Sequence, residues 1–194
     1  MKTTKKIIIN IHGAGPKHYR FLEDGSGDWQ SSLPSVLGNE FKVIAPQMPS
    51  PRNPTFEEWK ILLDKYLAKI NSEVIFVGHS LGASFLLKYL SQEKILQKVI
   101  GLFLVAMPFN KIDGFEVPND LSQFSSIKNI NLYHSMDDVE VPYAHALMYK
   151  DRLNANLKSY TAQGHFFKRS EFQDIANDIK AIYLKNGFEI SQIE

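Results

Sequence analysis

Short apolar runs recur along this chain, several of them without polar alternation, and stretches with helical spacing separate them. Runs at residues 6–12, 41–45, 73–78, 99–106, 129–134 and 157–161 are rich in Ile, Val, Leu and Phe and read as six strands. Val74-Ile75-Phe76-Val77 and Val99-Ile100-Gly101-Leu102-Phe103-Leu104-Val105 carry apolar side chains on both alternating sets, as strands covered on two faces do. Between them, Trp59, Leu62, Leu63, Tyr66, Leu67 and Ile70 recur every three or four residues and make one helical face apolar. Thr55 and Glu58 open that helix at capping-box spacing behind Pro54. Residues 81–96 and 142–153 supply two more helices, and Phe172, Ile175, Ile179 and Ile182 mark a last one. Trp29, Leu33 and Leu37 suggest another, with a ragged start at Pro34. Strand and helix thus alternate throughout, which predicts a parallel sheet of about six strands in a three-layer α/β fold, helices on both faces. Ligands bind such sheets outside the carboxyl ends of the strands, so chemistry is to be sought just after each run.

Composition narrows the rest. A chain of 194 residues with no repeat or polar linker is expected to form one domain, 1–194, large enough to bury a core unaided. A net charge of +1 offers no field for nucleic acid or an anionic membrane. The absence of cysteine excludes disulfides, thiolate metal clusters and a cysteine nucleophile. The basic start is followed by Ile7-Ile8-Ile9, which meets Asn10 and His12 too soon for a signal sequence. No run approaches the roughly 18 apolar residues of a membrane span. A cytoplasmic chain is expected, with neither nucleic acid nor membrane as partner.

The third run ends in Gly78-His79-Ser80-Leu81-Gly82 and passes directly into a helical pattern. A serine on a sharp strand-to-helix turn projects its hydroxyl above the sheet, and small flanking residues let the segments approach. Ser80 is therefore the candidate nucleophile. It needs a base, and the base needs an orienting group. Of six histidines, only His165 lies just beyond the last run, in Gln163-Gly164-His165-Phe166. The carboxylate is expected after an intermediate strand. Asp137 and Asp138 both follow the fifth run; their side chains point in different directions, so one can reach the histidine. Asp138, followed by x-x-Val141-Pro142, is preferred, while Asp137 has a turn or cap role as its simplest reading. The oxyanion donors are expected to be the amide of Leu81 and that of Ala14, in the glycine-containing loop His12-Gly13-Ala14-Gly15. Gly13, His79, Met107 and Phe109 are expected to border the substrate, with Phe115 divided between an acyl-side wall and the core.

Other chemistries fit poorly. Gly13-x-Gly15 lacks the third glycine of a dinucleotide loop, and no G-K-[ST] follows. His134, Asp137 and Asp138 cluster, and His12 and His18 share a loop, but none has metal-ligand spacing, so no metal is expected. The prolines between 46 and 54 read as a rigid connector rather than a ligand for proline-binding domains.

These residues resemble the α/β-hydrolases, and more narrowly the small, lidless serine hydrolases of the retinoblastoma-binding protein 9 family. The resemblance spans nearly the whole chain. It rests on Ile11-His12-Gly13 with Trp29, Ala45-Pro46-Gln47-Met48-Pro49 with Pro54 and Trp59, Val77 to Gly82, the Asp138 segment, and Gly164-His165-Phe166 with Glu171-Phe172. It implies a Ser80-Asp138-His165 triad that cleaves an ester, thioester or amide through an acyl-enzyme, without a cofactor. The L-x-C-x-E partner motif associated with that relative requires a cysteine and does not carry over. The stretch 14–28, with His18, Tyr19, Phe21 and Gly25-Ser26-Gly27, is longer than the family pattern, and either covers the pocket or packs on the body. Residues 107–126, where many relatives insert a cap, are too few for a cap domain, so the pocket is expected to be shallow and open. Small or short-acyl esters suit it best. The competing readings are an amidase or aminopeptidase, and a non-catalytic interaction module on the same fold.

Overall fold

A computed structural model describes residues 5–15, 29–109, 112–166 and 172–185. The strands are β1 (Lys6–Ile11), β2 (Phe41–Ile44), β3 (Val74–His79), β4 (Val99–Val105), β5 (Ile130–Ser135) and β6 (Asn156–Tyr160). All pair in parallel, in the spatial order β2-β1-β3-β4-β5-β6. The helices are α1 (Trp29–Leu37), α2 (Phe56–Leu67), α3 (Leu81–Gln92), α4 (Ala144–Leu153) and α5 (Phe172–Lys185).

Successive strand residues face opposite sides, and here both sides are covered. Ile7, Ile9, Ile11, Val74, Phe76, Leu102, Leu104, Ile130 and Leu132 join the core beneath α2, α3 and α4. Ile8, Ile75, Val77, Phe103, Val105 and Tyr133 join the core beneath α1 and α5. That double burial is what the unbroken apolar runs encode. The edges are poorer strands: β2 has only four residues, and β6 is largely exposed and carries Lys158, both of which discourage pairing with another sheet.

The helices follow their apolar faces, with local departures. At the start of α2, the Thr55 hydroxyl accepts the Glu58 amide at 3.4 Å and donates to the Glu58 carboxylate at 2.9 Å, so Glu58 closes the cap through the side chain rather than the backbone. Helix α1 starts at Trp29 and runs through Pro34, earlier than the ragged start expected there, because Trp29, Leu33 and Leu37 are all buried against the sheet. Helix α3 ends at Gln92, four residues short of the expected end. The segment beyond it is drawn out because the Gln97 side chain donates to the Leu67 and Ile70 carbonyls, capping the end of α2 at 2.9 and 2.6 Å. Between β4 and β5 the described residues hold one 3-10 turn (Ser122–Ser126). No helix among the described residues is long and apolar enough to cross a membrane.

The tightest approach in the fold lies where α3 crosses the end of β1. A Cβ on Gly82 would stand 2.4 Å from the Ile11 carbonyl oxygen and 2.5 Å from that of His12. Those backbone atoms, at the last residue of a central strand and the one just after it, cannot swing aside. Replacing a helical glycine by alanine ordinarily gains about 1 kcal/mol. At this position Gly82→Ala is expected to lower stability by about 1–3 kcal/mol instead, through overpacking. Urea denaturation midpoints measure this, and an unchanged or higher midpoint contradicts it.

Candidate active site

From β1 the chain goes outward to β2, then returns to place β3 on the other side of β1. The carboxyl ends of β1 and β3 therefore open the crevice in which ligands of such sheets bind. The residues after β1 are His12 to Gly15, and the residue after β3 is Ser80.

Ser80 has φ 52° and ψ −122°, a backbone conformation that costs a non-glycine residue about 1–3 kcal/mol. Its surroundings hold it there. The Ser80 amide donates to the Val105 carbonyl at 2.8 Å, and the Ser80 carbonyl accepts the Ala83 amide at 3.0 Å. On the near side, a Cβ on Gly78 would meet the Ala83 Cα at 2.7 Å. Both glycines of the motif are thus required by backbone contact. Ser80 stands at the N-cap position of α3 without a side-chain capping bond, so its half-buried hydroxyl is not consumed by its own helix. The Leu81 amide follows at the first helical position, one of the N–H groups that helix geometry leaves without an intrahelical acceptor.

The loop after β1 is fastened to the proline-containing connector. The Met48 amide donates to His12 Nε2 at 2.8 Å, which fixes the proton on Nδ1, and Nδ1 donates to the Gly13 carbonyl at 2.5 Å. The Trp59 indole packs edge-on against His12, and its N–H donates to the Pro49 carbonyl at 2.8 Å. The Gly15 amide, from a residue with φ 102°, donates to the Pro51 carbonyl at 3.1 Å. Gly13 and Ala14 sit in this braced loop.

The acid and the base come from the loops after β5 and β6. Asp138 Oδ2 accepts His165 Nδ1–H at 2.8 Å, with both side chains almost wholly buried. Asp138 Oδ1 accepts the amides of Glu140 and Val141, each at 2.9 Å. Burial alone pushes the Asp138 carboxyl up. The His165 hydrogen bond, the Val141 amide, the His165 charge and the Glu140 amide outweigh it and hold the group below the usual carboxylate range. An ionised Asp138 keeps the His165 proton on Nδ1, which makes Nε2 the basic nitrogen of the ring. Residue 165 is brought to the serine turn by His79, whose Nε2 donates to the His165 carbonyl at 2.9 Å, the two rings lying 5.0 Å apart.

A further imidazole stands beside the same carboxylate. His134 Nε2 donates to the Val141 carbonyl at 2.8 Å and lies 3.6 Å from Asp138 Oδ2. Burial drives its basicity down, against the opposing pull of Val141 and Asp138 and together with the push of His165 and His145, so the ring is neutral. Asp137 points elsewhere. Exposed, it accepts from Ser135 and from the Gln163 and Gly164 amides, the last two at 3.1 and 2.9 Å. Sequence reasoning gave no positioning role to His134 and Ser135, which end β5, or to Asp137, read as a turn or cap residue.

Of the four residues expected to border the substrate, Gly13, His79 and Met107 are buried, and the side chains of the last two face away from open space. His79 is buried against Trp29, 5.7 Å between rings, because the strand alternation turns it to the α1 side of the sheet. Met107 is buried in the core beneath α4. Phe109 is partly exposed; its ring packs on Tyr149 at 5.0 Å, and its amide donates to His145 Nδ1 at 3.1 Å. Phe115 belongs to the core, in an aromatic group with Phe56, Trp59 and Phe85. The stretch with His18, Tyr19, Phe21 and Gly25-Ser26-Gly27 lies outside the described residues.

Known proteins resemble this chain along most of its length. The chain is 24% identical to YdeN of Bacillus subtilis, named as a hydrolase, over 89% of this chain and 91% of the relative. It is 25% identical to the rat serine hydrolase RBBP9, covering 92% of this chain and 95% of the relative. The crystal structure of the B. subtilis ydeN gene product superposes with a TM-score of 0.71 at 20% identity, covering 93% of this chain and all of that one, a likeness of fold. The model of the serine hydrolase family matches residues 21–183. This chain belongs to the serine hydrolase family.

Proposed function

We propose that the chain hydrolyses small or short-acyl esters, thioesters or amides through a Ser80-Asp138-His165 triad and an acyl-enzyme. The observation that carries this reading is the 2.8 Å bond from His165 Nδ1 to the buried Asp138 carboxylate, on a loop fastened to the residue preceding Ser80. In this mechanism His165 Nε2 takes the Ser80 proton as the hydroxyl oxygen bonds to the substrate carbonyl carbon. The Ala14 and Leu81 amides receive the negative charge that develops on the carbonyl oxygen. The imidazolium, steadied by Asp138, returns its proton to the leaving alcohol, thiol or amine. Water then enters by the same route, releasing the acid and restoring Ser80. None of these steps draws on a metal or a cofactor.

The substrate class follows from the surroundings. The described part of the 107–126 region folds Met107 and Phe115 into the core, so it adds little wall above Ser80 and leaves little to hold a long acyl chain. Phe109 and the Gly13–Ala14 backbone are the substrate neighbours this reading retains. A chain with no cysteine needs no oxidising compartment to form disulfides, and the cytoplasm is the proposed location.

A fluorophosphonate probe tests the nucleophile. Labelling of the parent protein should vanish in Ser80→Ala and slow by at least about 10³-fold in His165→Ala. Equal labelling of all three proteins overturns the reading. With a short-chain ester, Asp138→Asn should cut kcat by about 10⁴-fold through the wrong imidazole tautomer, and a near-parent rate assigns the acid elsewhere.

Stability supplies a separate check on the carboxylate. Asp138 ionises more readily in the folded chain than in the unfolded one, so its contribution is complete above the unfolded value near 3.9 and is lost as the pH falls through the folded value. The urea midpoint of the parent should therefore drop towards low pH more steeply than that of Asp138→Asn. Two parallel curves would show that the carboxylate is not selectively stabilised.

A further inference from the structure

The loop that carries His165 is gripped through its backbone. The Gln163 amide stands within hydrogen-bonding distance of both Ser135 Oγ at 3.0 Å and Asp137 Oδ1 at 3.1 Å. The Gly164 amide donates to the same Asp137 oxygen at 2.9 Å, and the Ser135 hydroxyl donates to it as well. One carboxylate oxygen therefore gathers a hydroxyl and two successive amides of the turn that immediately precedes His165. The strands beneath are joined too, since the Met136 amide donates to the Tyr160 carbonyl at 2.7 Å.

That turn has little stiffness of its own. Gly164 has φ 54° and Phe166 has φ 57°, so the residues on either side of His165 both adopt left-handed backbone. Left-handed φ is accessible to glycine but costly for phenylalanine, and such conformations persist only when neighbours over-determine them. On the far side His79 holds the His165 carbonyl. Asp137 and Ser135 supply the opposing hold, and they act on N–H groups where His79 acts on C=O.

We infer that Asp137, held by Ser135, is a positioning residue that sets the height and direction of the His165 imidazole by binding the amides of residues 163 and 164. The two adjacent aspartates then act at different points: Asp138 holds the ring, and Asp137 holds the backbone that bears it. Asp137 is exposed, so it fills no core space, and removing its side chain leaves no cavity. The ease with which its carboxyl ionises, owed first to Ser135 and then to the Gly164 amide, agrees with a permanently charged acceptor at this point. This inference rests on the proposed roles of Ser80, Asp138 and His165, and predicts an effect on turnover rather than on substrate affinity.

The experiment compares Asp137→Ala, Asp137→Asn and Ser135→Ala with the parent, in a short-chain ester assay and by proton NMR of the unliganded protein. Displacing a catalytic group by about 1 Å costs on the order of 10²-fold in rate. Asp137→Ala should accordingly lose about 10–100-fold in kcat with KM nearly unchanged, and Asp137→Asn, which keeps an acceptor oxygen, should recover most of the loss. Ser135→Ala should lie between them and the parent. The low-field resonance of the His165 Nδ1 proton, bound to Asp138, should broaden or shift in Asp137→Ala while the rest of the spectrum stays folded. A parent-like kcat and an unmoved resonance in Asp137→Ala overturn the inference, as does a loss that falls on KM or that asparagine fails to relieve. The NMR readout needs no turnover, so it still decides the backbone grip if Ser80 proves unreactive towards the fluorophosphonate, the outcome that would defeat the proposed function instead.

Discussion

The contact of Gly82 with the carbonyls of Ile11 and His12 governs much of what lies above the sheet. It lets α3 begin almost on top of β1, so the turn between β3 and α3 must be sharp, and Ser80 is forced into its left-handed conformation. The same approach brings the loop after β1 beside the first amides of α3. Ser80, the start of α3 and the loop after β1 are thus drawn to one end of the sheet because one residue lacks a Cβ. The strain at Ser80 is tolerated because its amide is bound into the β4 ladder and its carbonyl starts the helix. Removing either would let the turn relax to a commoner conformation and lower the serine towards its own helix.

A second constraint is the buried charge of Asp138. A carboxylate taken out of water is costly unless its oxygens are bound, and here three N–H groups bind them, from Glu140, Val141 and His165. Two of those donors lie in the loop that Asp138 itself begins, so the loop's shape and the residue's ionised state depend on each other. His134 extends the arrangement by holding the Val141 carbonyl. Burial lowers its basicity, so it fastens the loop without favouring a second charge beside Asp138. Loss of any one of these partners would leave the charge under-compensated, which generally costs more than the intact arrangement gains.

The architecture was legible because burial on two faces leaves an unmistakable mark: all six apolar runs became strands within two residues of their expected bounds. The placement of Ser80, Asp138 and His165 after β3, β5 and β6, and the meeting of the last two, were legible because a parallel sheet collects the residues that follow its strands along one edge. Side-chain direction was not. Whether His79 faces the crevice or the α1 side is set by a period of two counted from Val74, and an apolar run on both faces hides that phase. Met107 was expected at the pocket wall and Phe115 at wall or core; both lie in the core, and either environment accepts an apolar side chain. The early end of α3 depends on Gln97 reaching the end of α2, a contact between segments 27 to 30 residues apart. Asp137 looked like a turn residue because its partners, Gln163 and Gly164, lie 26 and 27 positions away.

The histidines show why residue type alone identifies so little. His12, His79, His134 and His145 each bond a ring nitrogen to a backbone group of another segment: the Met48 amide, the His165 carbonyl, the Val141 carbonyl and the Phe109 amide. His12 and His145 must be unprotonated at the bonded nitrogen in order to accept an amide proton. His165 differs in having a ring nitrogen 2.8 Å from a buried carboxylate. The partner across from the ring, rather than the ring itself, therefore separates the histidine proposed as the base from those that lock loops together.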